Sequence, residues 1–241
     1  MTALVVAAGA LTGGFVSGLA GFGTGLIALG FWLHVVDPPT AATLVAICSV
    51  VSQVQSIGTI WHAIDWRRSA PMLLAGLLGV PIGTYLLDDL PARTFRIGLG
   101  LFLLGFSAFM LLWRREHRMS WGGRPADAAV GLAGGLMGGL TGLSGPLPTV
   151  WATLRGWDKH ARRGMFQAFN LLILGAALAW HAAAGLLTAE IGRLTLMALP
   201  GTLAGSWLGV RLYRRLSTHH FHRVVLGLLG LSGLIILWSS V

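Results

Sequence analysis

Charge is what this chain has least of. Of its 241 residues only 10 % are Asp, Glu, Lys or Arg, and only 8 of those are acidic. Soluble domains carry roughly 25 % charged residues, so a free-standing soluble domain is excluded, and the 55 % hydrophobic content and mean hydropathy of +0.75 agree. Cysteine is nearly absent too: Cys48 stands alone, which rules out a disulfide within the chain. The start, MTALVV, lacks the basic residues of a secretory signal. The net charge of +9 does not point to nucleic acid, because the basic residues are strung along short polar clusters instead of forming one patch.

Between those clusters lie long apolar stretches at 1–36, 38–64, 69–87, 97–113, 128–154, 164–189, 194–210 and 224–241, each free of Asp, Glu, Lys and Arg. A bilayer core about 30 Å thick takes about 17–25 apolar residues per helix, so the chain reads as a polytopic helical membrane protein. If every stretch crosses once, the Lys and Arg of the loops divide 7 against 10. If 128–154 instead enters and returns to its own side, the loops 65–68, 114–127, 155–163 and 211–223 share a face and the division becomes 14 against 3. The second division satisfies the positive-inside rule. Length agrees, since 27 residues of helix span only about 40 Å, short of two full crossings.

The two halves resemble each other. Gly14, Gly18 and Gly21 match Gly135, Gly139 and Gly142 at one offset; GVPIG at 79–83 matches GSWLG at 205–209, and LPARTFR at 90–96 matches LSTHHFH at 216–222. The expected fold is an all-α membrane protein of two inverted-topology repeats, each a Gly-broken helical hairpin plus three transmembrane helices. The first repeat is expected at 1–113, with a broken hairpin at 3–34 and helices at 41–63, 69–87 and 95–113. A cytoplasmic linker follows at 114–125. The second repeat is expected at 126–241, with a hairpin at 128–154 and helices at 163–184, 191–212 and 219–239. Both termini are expected outside the inner membrane.

The hairpin tips read GLAGFGTG at 18–25 and GLTGLSGP at 139–146. Glycine lets a chain turn sharply and approach a ligand closely, and backbone that leaves a helix within a membrane needs partners or a wet cavity. The returning half-helices would start near Gly23–Leu26 and Ser144–Leu147, where amides without helical partners carry the positive end of the macrodipole. Two such starts facing each other make an anion site without a charged side chain. The candidate substrate-binding residues are Gly21, Phe22, Gly23, Thr24 and Gly25 in one tip and Thr141, Gly142, Leu143, Ser144, Gly145 and Pro146 in the other. Gly79xxxGly83 and Gly205xxxGly209 read as close helix packing instead.

Within the spans, Gln53, Gln167 and Asn170 are candidates to line the route, because intramembrane polar residues face the bundle interior or a cavity. Ser49, Ser52, Gln53 and Ser56 share one helical face, and Gln55, Thr59 and His62 another. No stretch holds a carboxylate for a proton relay, so any coupled proton has to ride on a histidine or on the substrate. His181 and His62, near stretch ends, are expected at the interface. His219, His220 and His222 are expected to be a polar loop and not a metal site. Trp32, Trp61, Trp66, Trp113, Trp151, Trp180 and Trp238 are expected to form an interfacial belt.

GLAGFGTG, then PPTAATLVA, then a basic loop with DWRR resembles the first half of the TauE/SafE-type sulfite exporter family. GLTGLSGPLPTVW, DKHARRGMFQAFN, HAAAGLL and RRLSTHHFHRVVLGLLGLSGL resemble its C-terminal repeat. The resemblance implies a permease for small, often sulfur-containing anions such as sulfite or sulfonates, with no cofactor and no enzymatic activity. The expected function is export of such an anion across the inner membrane by alternating access. Its partners are the anion and membrane lipid, with no nucleic acid and self-association left open. The rival reading is a rhomboid-like intramembrane serine protease, in which Ser144 of the GxSG match is the nucleophile and His181 its base.

Overall fold

The computed structural model describes residues 2–21, 23–57, 64–112, 122–157, 159–213, 233–234 and 236–238. Phe22, His62, Thr59, His219, His220, His222, Trp61, Trp113 and most of the expected last helix lie outside the described residues, as do the side chains of Ser56, Lys159 and Arg163.

All regular structure among the described residues is helical. The elements are α1 (Thr2–Ala20), α2 (Thr24–Trp32), α3 (Pro38–Ile57), α4 (Trp66–Asp89), α5 (Ala92–Leu112), α6 (Gly123–Thr141), α7 (Pro146–Leu154), α8 (Lys159–Ala183) and α9 (Ala189–Tyr213). Four described segments, Thr2–Leu19, Trp66–Leu87, Ala92–Phe109 and Gly164–Ala183, are long and apolar enough to cross a membrane.

The chain breaks twice inside apolar sequence. Gly21 (φ 81°) and Gly23 (φ 111°) separate α1 from α2, and Gly142 (φ 70°) ends α6 four residues before α7 begins. These left-handed angles favour glycine. The two helix ends match: the Gly21 amide donates to Ser17 O (2.7 Å) and the Gly142 amide to Gly138 O (3.0 Å). α2 and α7, at 9 residues each, are half-helices.

Packing exchanges the halves. α1 lies along α9, α4 along α6, and α3 along α8, with α3 also touching α9 and α8 touching α4. The first long helix of each half therefore pairs with the fourth helix of the other. Glycine makes these seams possible: a Cβ on Gly135 would enter the Gly76 backbone, and one on Gly18 would enter the Ser206 backbone. Gly79 and Gly83 meet α6 at Leu132 and Leu136 in the same way, and Gly205 and Gly209 meet α1 at Leu11 and Phe15. This is close small-residue packing.

Each broken hairpin is tied by an indole. Trp32 of α2 donates from Nε1 to Val6 O (3.1 Å), and Trp151 of α7 donates to Asp127 Oδ1 (2.6 Å). Val6 and Asp127 stand at the same offset as Gly21 and Gly142. Both indoles are buried, which corrects the belt assignment for Trp32 and Trp151; Trp66, Trp180 and Trp238 are exposed as a belt requires. Asp127 is itself buried, so the second hairpin holds a carboxylate just ahead of the charge-free stretch.

Candidate functional site

The two breaks meet at one cavity. It occupies about 260 Å³ including its open mouth, with enclosed room for about one water-sized body. From the first half come Ser17, Gly23, Thr24, Gly25, Leu26, Ser49 and Gln53; from the second come Gly142, Leu143, Ser144, Gly145, Pro146, Asn170 and Leu174. Gly25 has no room for a Cβ, because Val45 and Leu143 already press on it, and Val45 blocks Gly142 likewise. Glycine here is a requirement of the close approach of the two tips.

Among the described residues none that lines it is Asp, Glu, Lys, Arg or His. The electrostatics come from the backbone. Thr24, Gly25 and Leu26 form the first turn of α2, and the amides of a first turn have no partner within their helix. α7 is poorer in donors, because Pro146 and Pro148 of its first turn carry no N–H. Thr24 adds a hydroxyl that is 1 % exposed and has no hydrogen-bond partner. An unpaired buried hydroxyl is costly to keep, and here it lies on the wall of the cavity.

Ser144, Asn170 and Gln53 are held by hydrogen bonds around the first break. Ser144 Oγ donates to Asn170 Oδ1 at 2.6 Å, Asn170 Nδ2 donates to Gly21 O at 3.4 Å, and Gln53 Nε2 donates to the same carbonyl at 2.7 Å. Two carboxamides, one from each half, thus cover the carbonyl that would otherwise present negative charge at the break. Asn170 belongs to both tips at once.

Of the residues expected at the site, the cavity gathers Gly23, Thr24, Gly25, Gly142, Leu143, Ser144, Gly145, Pro146, Gln53 and Asn170. Gly21 contributes its carbonyl from behind the wall. Thr141 is turned away: its hydroxyl donates to Met137 O (2.8 Å) and accepts from the Leu143 amide (3.2 Å). Gln167 is fully buried but not on the wall, and Gln55 is exposed. The sequence reading missed Ser17, Leu26, Ser49 and Leu174 as wall residues. Ser49 and Leu174 were within its reach, since they are the repeat counterparts of Asn170 and Gln53.

The protease arrangement is absent. Ser144 donates to an amide oxygen, not to a base. His181 is fully buried, contrary to the interfacial placement expected of it. Its ring nitrogens face Thr43 Oγ1 (3.1 Å) and Gly139 O (2.9 Å), and no Ser–His pair forms. The site can cradle a small anion with dipoles and hydroxyls; a nucleophile needs an adjacent base, which it lacks. Among the described residues no group of three or more His, Cys, Asp or Glu could hold a metal.

The family model described as sulfite exporter TauE/SafE matches residues 5–236. No curated protein and no solved structure matches the chain. With nearly its whole length matched, the chain belongs to the TauE/SafE sulfite exporter family, whose members are membrane transporters.

Proposed function

We propose that this member of the sulfite exporter family carries a small oxyanion, sulfite or a compact sulfonate, out across the inner membrane by alternating access between two inverted repeats. One observation carries the reading: two half-helix starts from different halves converge on a single uncharged cavity whose wall holds the uncommitted Thr24 hydroxyl. Helix starts bind anions, and a binding site made of discontinuous helices between repeats is the arrangement of many secondary transporters.

The exchange of first and fourth helices supports a two-fold relation between the halves. Inversion rests on the charge count of 14 against 3, which sets the loops at 65–68, 114–127, 155–163 and 211–223 in the cytoplasm and both termini outside. Export follows from energetics. An anion leaving a negative-inside cell is driven by about 2.3 kcal/mol per charge per 100 mV, so outward flow needs no further source of energy.

The test is sulfite flux in proteoliposomes. Gly145→Leu, which puts a side chain into the cavity, abolishes flux while the protein still inserts and runs as a single species in detergent. Undiminished flux in Gly145→Leu removes the cavity as the transport site.

A further inference from the structure

We propose that the cavity selects an oxyanion bearing a short, uncharged apolar substituent. The charged group faces the wall from the first half, and the substituent lies on the wall from the second, against Leu174. The inference rests on the cavity being the anion site.

The two walls are unequal although the repeat that builds them is one. At the offset relating Gly21 to Gly142, Ser17 corresponds to Gly138, Thr24 to Gly145 and Gln53 to Leu174. Three polar side chains on the wall from the first half thus have no polar counterpart in the second. The exchange also runs the other way, Gly23 to Ser144 and Ser49 to Asn170. Those two side chains bond each other at 2.6 Å.

The donors follow the same division. The first-turn amides of α2, at Thr24, Gly25 and Leu26, have no partner within their helix. Beside them is the Thr24 hydroxyl, 1 % exposed and without a hydrogen-bond partner. In the first turn of α7, Pro146 and Pro148 have no N–H to offer. An oxyanion therefore finds its free donors on the side of the first half.

The opposite wall is suited to carbon. Leu143, Pro146 and Leu174 are lining residues there, and both leucines are buried. Leu174 stands one turn beyond Asn170 on α8, and Leu143 is pressed against Gly25. A methylene laid on this wall leaves water without needing a polar partner, a gain of about fourfold in affinity. A second charge on the substituent meets no charged side chain among the described lining residues, and burying a charge without a partner is costly. An ammonium or carboxylate at the far end of the ligand is thus selected against.

Size limits the substituent. The cavity occupies about 260 Å³ with its mouth included. At the volume of a liquid water molecule, about 30 Å³ each, it takes at most about eight non-hydrogen atoms. A sulfonate group leaves room for a chain of a few carbons.

The test is calorimetric titration of the full-length protein in detergent with methanesulfonate, ethanesulfonate and propane-1-sulfonate. Affinity is expected to rise about fourfold with each added carbon. The ligand 2-aminoethanesulfonate matches propane-1-sulfonate in number of non-hydrogen atoms but ends in a charge, and it is expected to bind at least about tenfold more weakly. Leu174→Gln gives α8 the residue that α3 has at Gln53, and is expected to flatten the series and narrow that gap. The wild-type series decides the matter by itself where Leu174→Gln does not fold. Equal affinity along the wild-type series, with sulfite still binding, overturns the proposal and leaves the cavity standing. Binding of 2-aminoethanesulfonate as tight as that of propane-1-sulfonate overturns it too, and so does a folded Leu174→Gln that keeps the wild-type series. If neither sulfite nor any of the sulfonates binds, the cavity itself falls as the anion site, and this inference falls with it.

Discussion

Asn170 bridges the two helix breaks: it accepts from the Ser144 hydroxyl of one tip at 2.6 Å and donates to the Gly21 carbonyl of the other at 3.4 Å. The carboxamide orientation follows from chemistry, since a carbonyl can only accept and so the amide nitrogen must face Gly21. At the proposed site an anion would compete for the Ser144 hydroxyl, and winning it would free one end of the bridge. On that proposal, ligand binding and the hold between the tips are opposed through a single side chain.

Asn170→Asp is the sharpest probe of that bridge. It sets a carboxylate oxygen against Gly21 O and adds negative charge to an anion cavity. Sulfite flux is expected to fall at least about tenfold, a cost of about 1.4 kcal/mol. Asn170→Ala is expected to lower stability by about 1–3 kcal/mol through the groups it leaves unpaired, read as detergent unfolding temperature. Wild-type flux in Asn170→Asp contradicts the assignment.

Thr24→Val separates binding from folding. The Thr24 hydroxyl has no partner in the unliganded protein, so its removal leaves stability unchanged or raises it. The same change weakens sulfite or thiosulfate binding about tenfold, the worth of one hydrogen bond to a charged group. Thermal unfolding with and without the anion reads both effects in one experiment.

Gly135→Ala tests the α4–α6 seam. The added methyl enters the Gly76 backbone, so the helices separate and the protein fails to accumulate as a folded species. Gly175→Ala is the control, because nothing lies within 4 Å of the added methyl; its stability is expected within about 1 kcal/mol of wild type.

Trp151→Phe removes the indole donor from Asp127 and leaves a buried carboxylate oxygen without it. The expected loss is about 1–3 kcal/mol. Asp127→Asn keeps an acceptor for the indole and is expected to cost less. Equal unfolding temperatures for the two variants contradict the role given to this bond.

Much of this architecture was written in local pattern. The breaks at Gly21 and Gly142 could be found because a positive φ demands glycine and because the two glycines repeat at a fixed offset. Helix ends were read less well, for a physical reason. A scan for charge-free sequence finds what the hydrocarbon tolerates, whereas helices run on into the polar layer: Arg67 and Arg68 lie in the first turn of α4, Asp88 and Asp89 in its last, and Arg93 and Arg96 in α5. Long-range pairings were invisible. His181 and Thr43 are 138 residues apart, and no periodicity joins them. Ser144 with Asn170, and Trp32 with Val6, likewise depend on how helices cross, which composition does not encode.

The reciprocal seams have a consequence for origins. A polypeptide of half this length, containing only α1 to α5, would show two glycine-notched ridges to the lipid with no neighbour to fill them. Its simplest remedy is a second copy of itself, α1 against α4 twice over. A two-chain ancestor, later joined by the linker, is thus the state from which the present single chain is most easily reached, and co-expressing residues 1–116 with 117–241 should reassemble what neither piece can build alone.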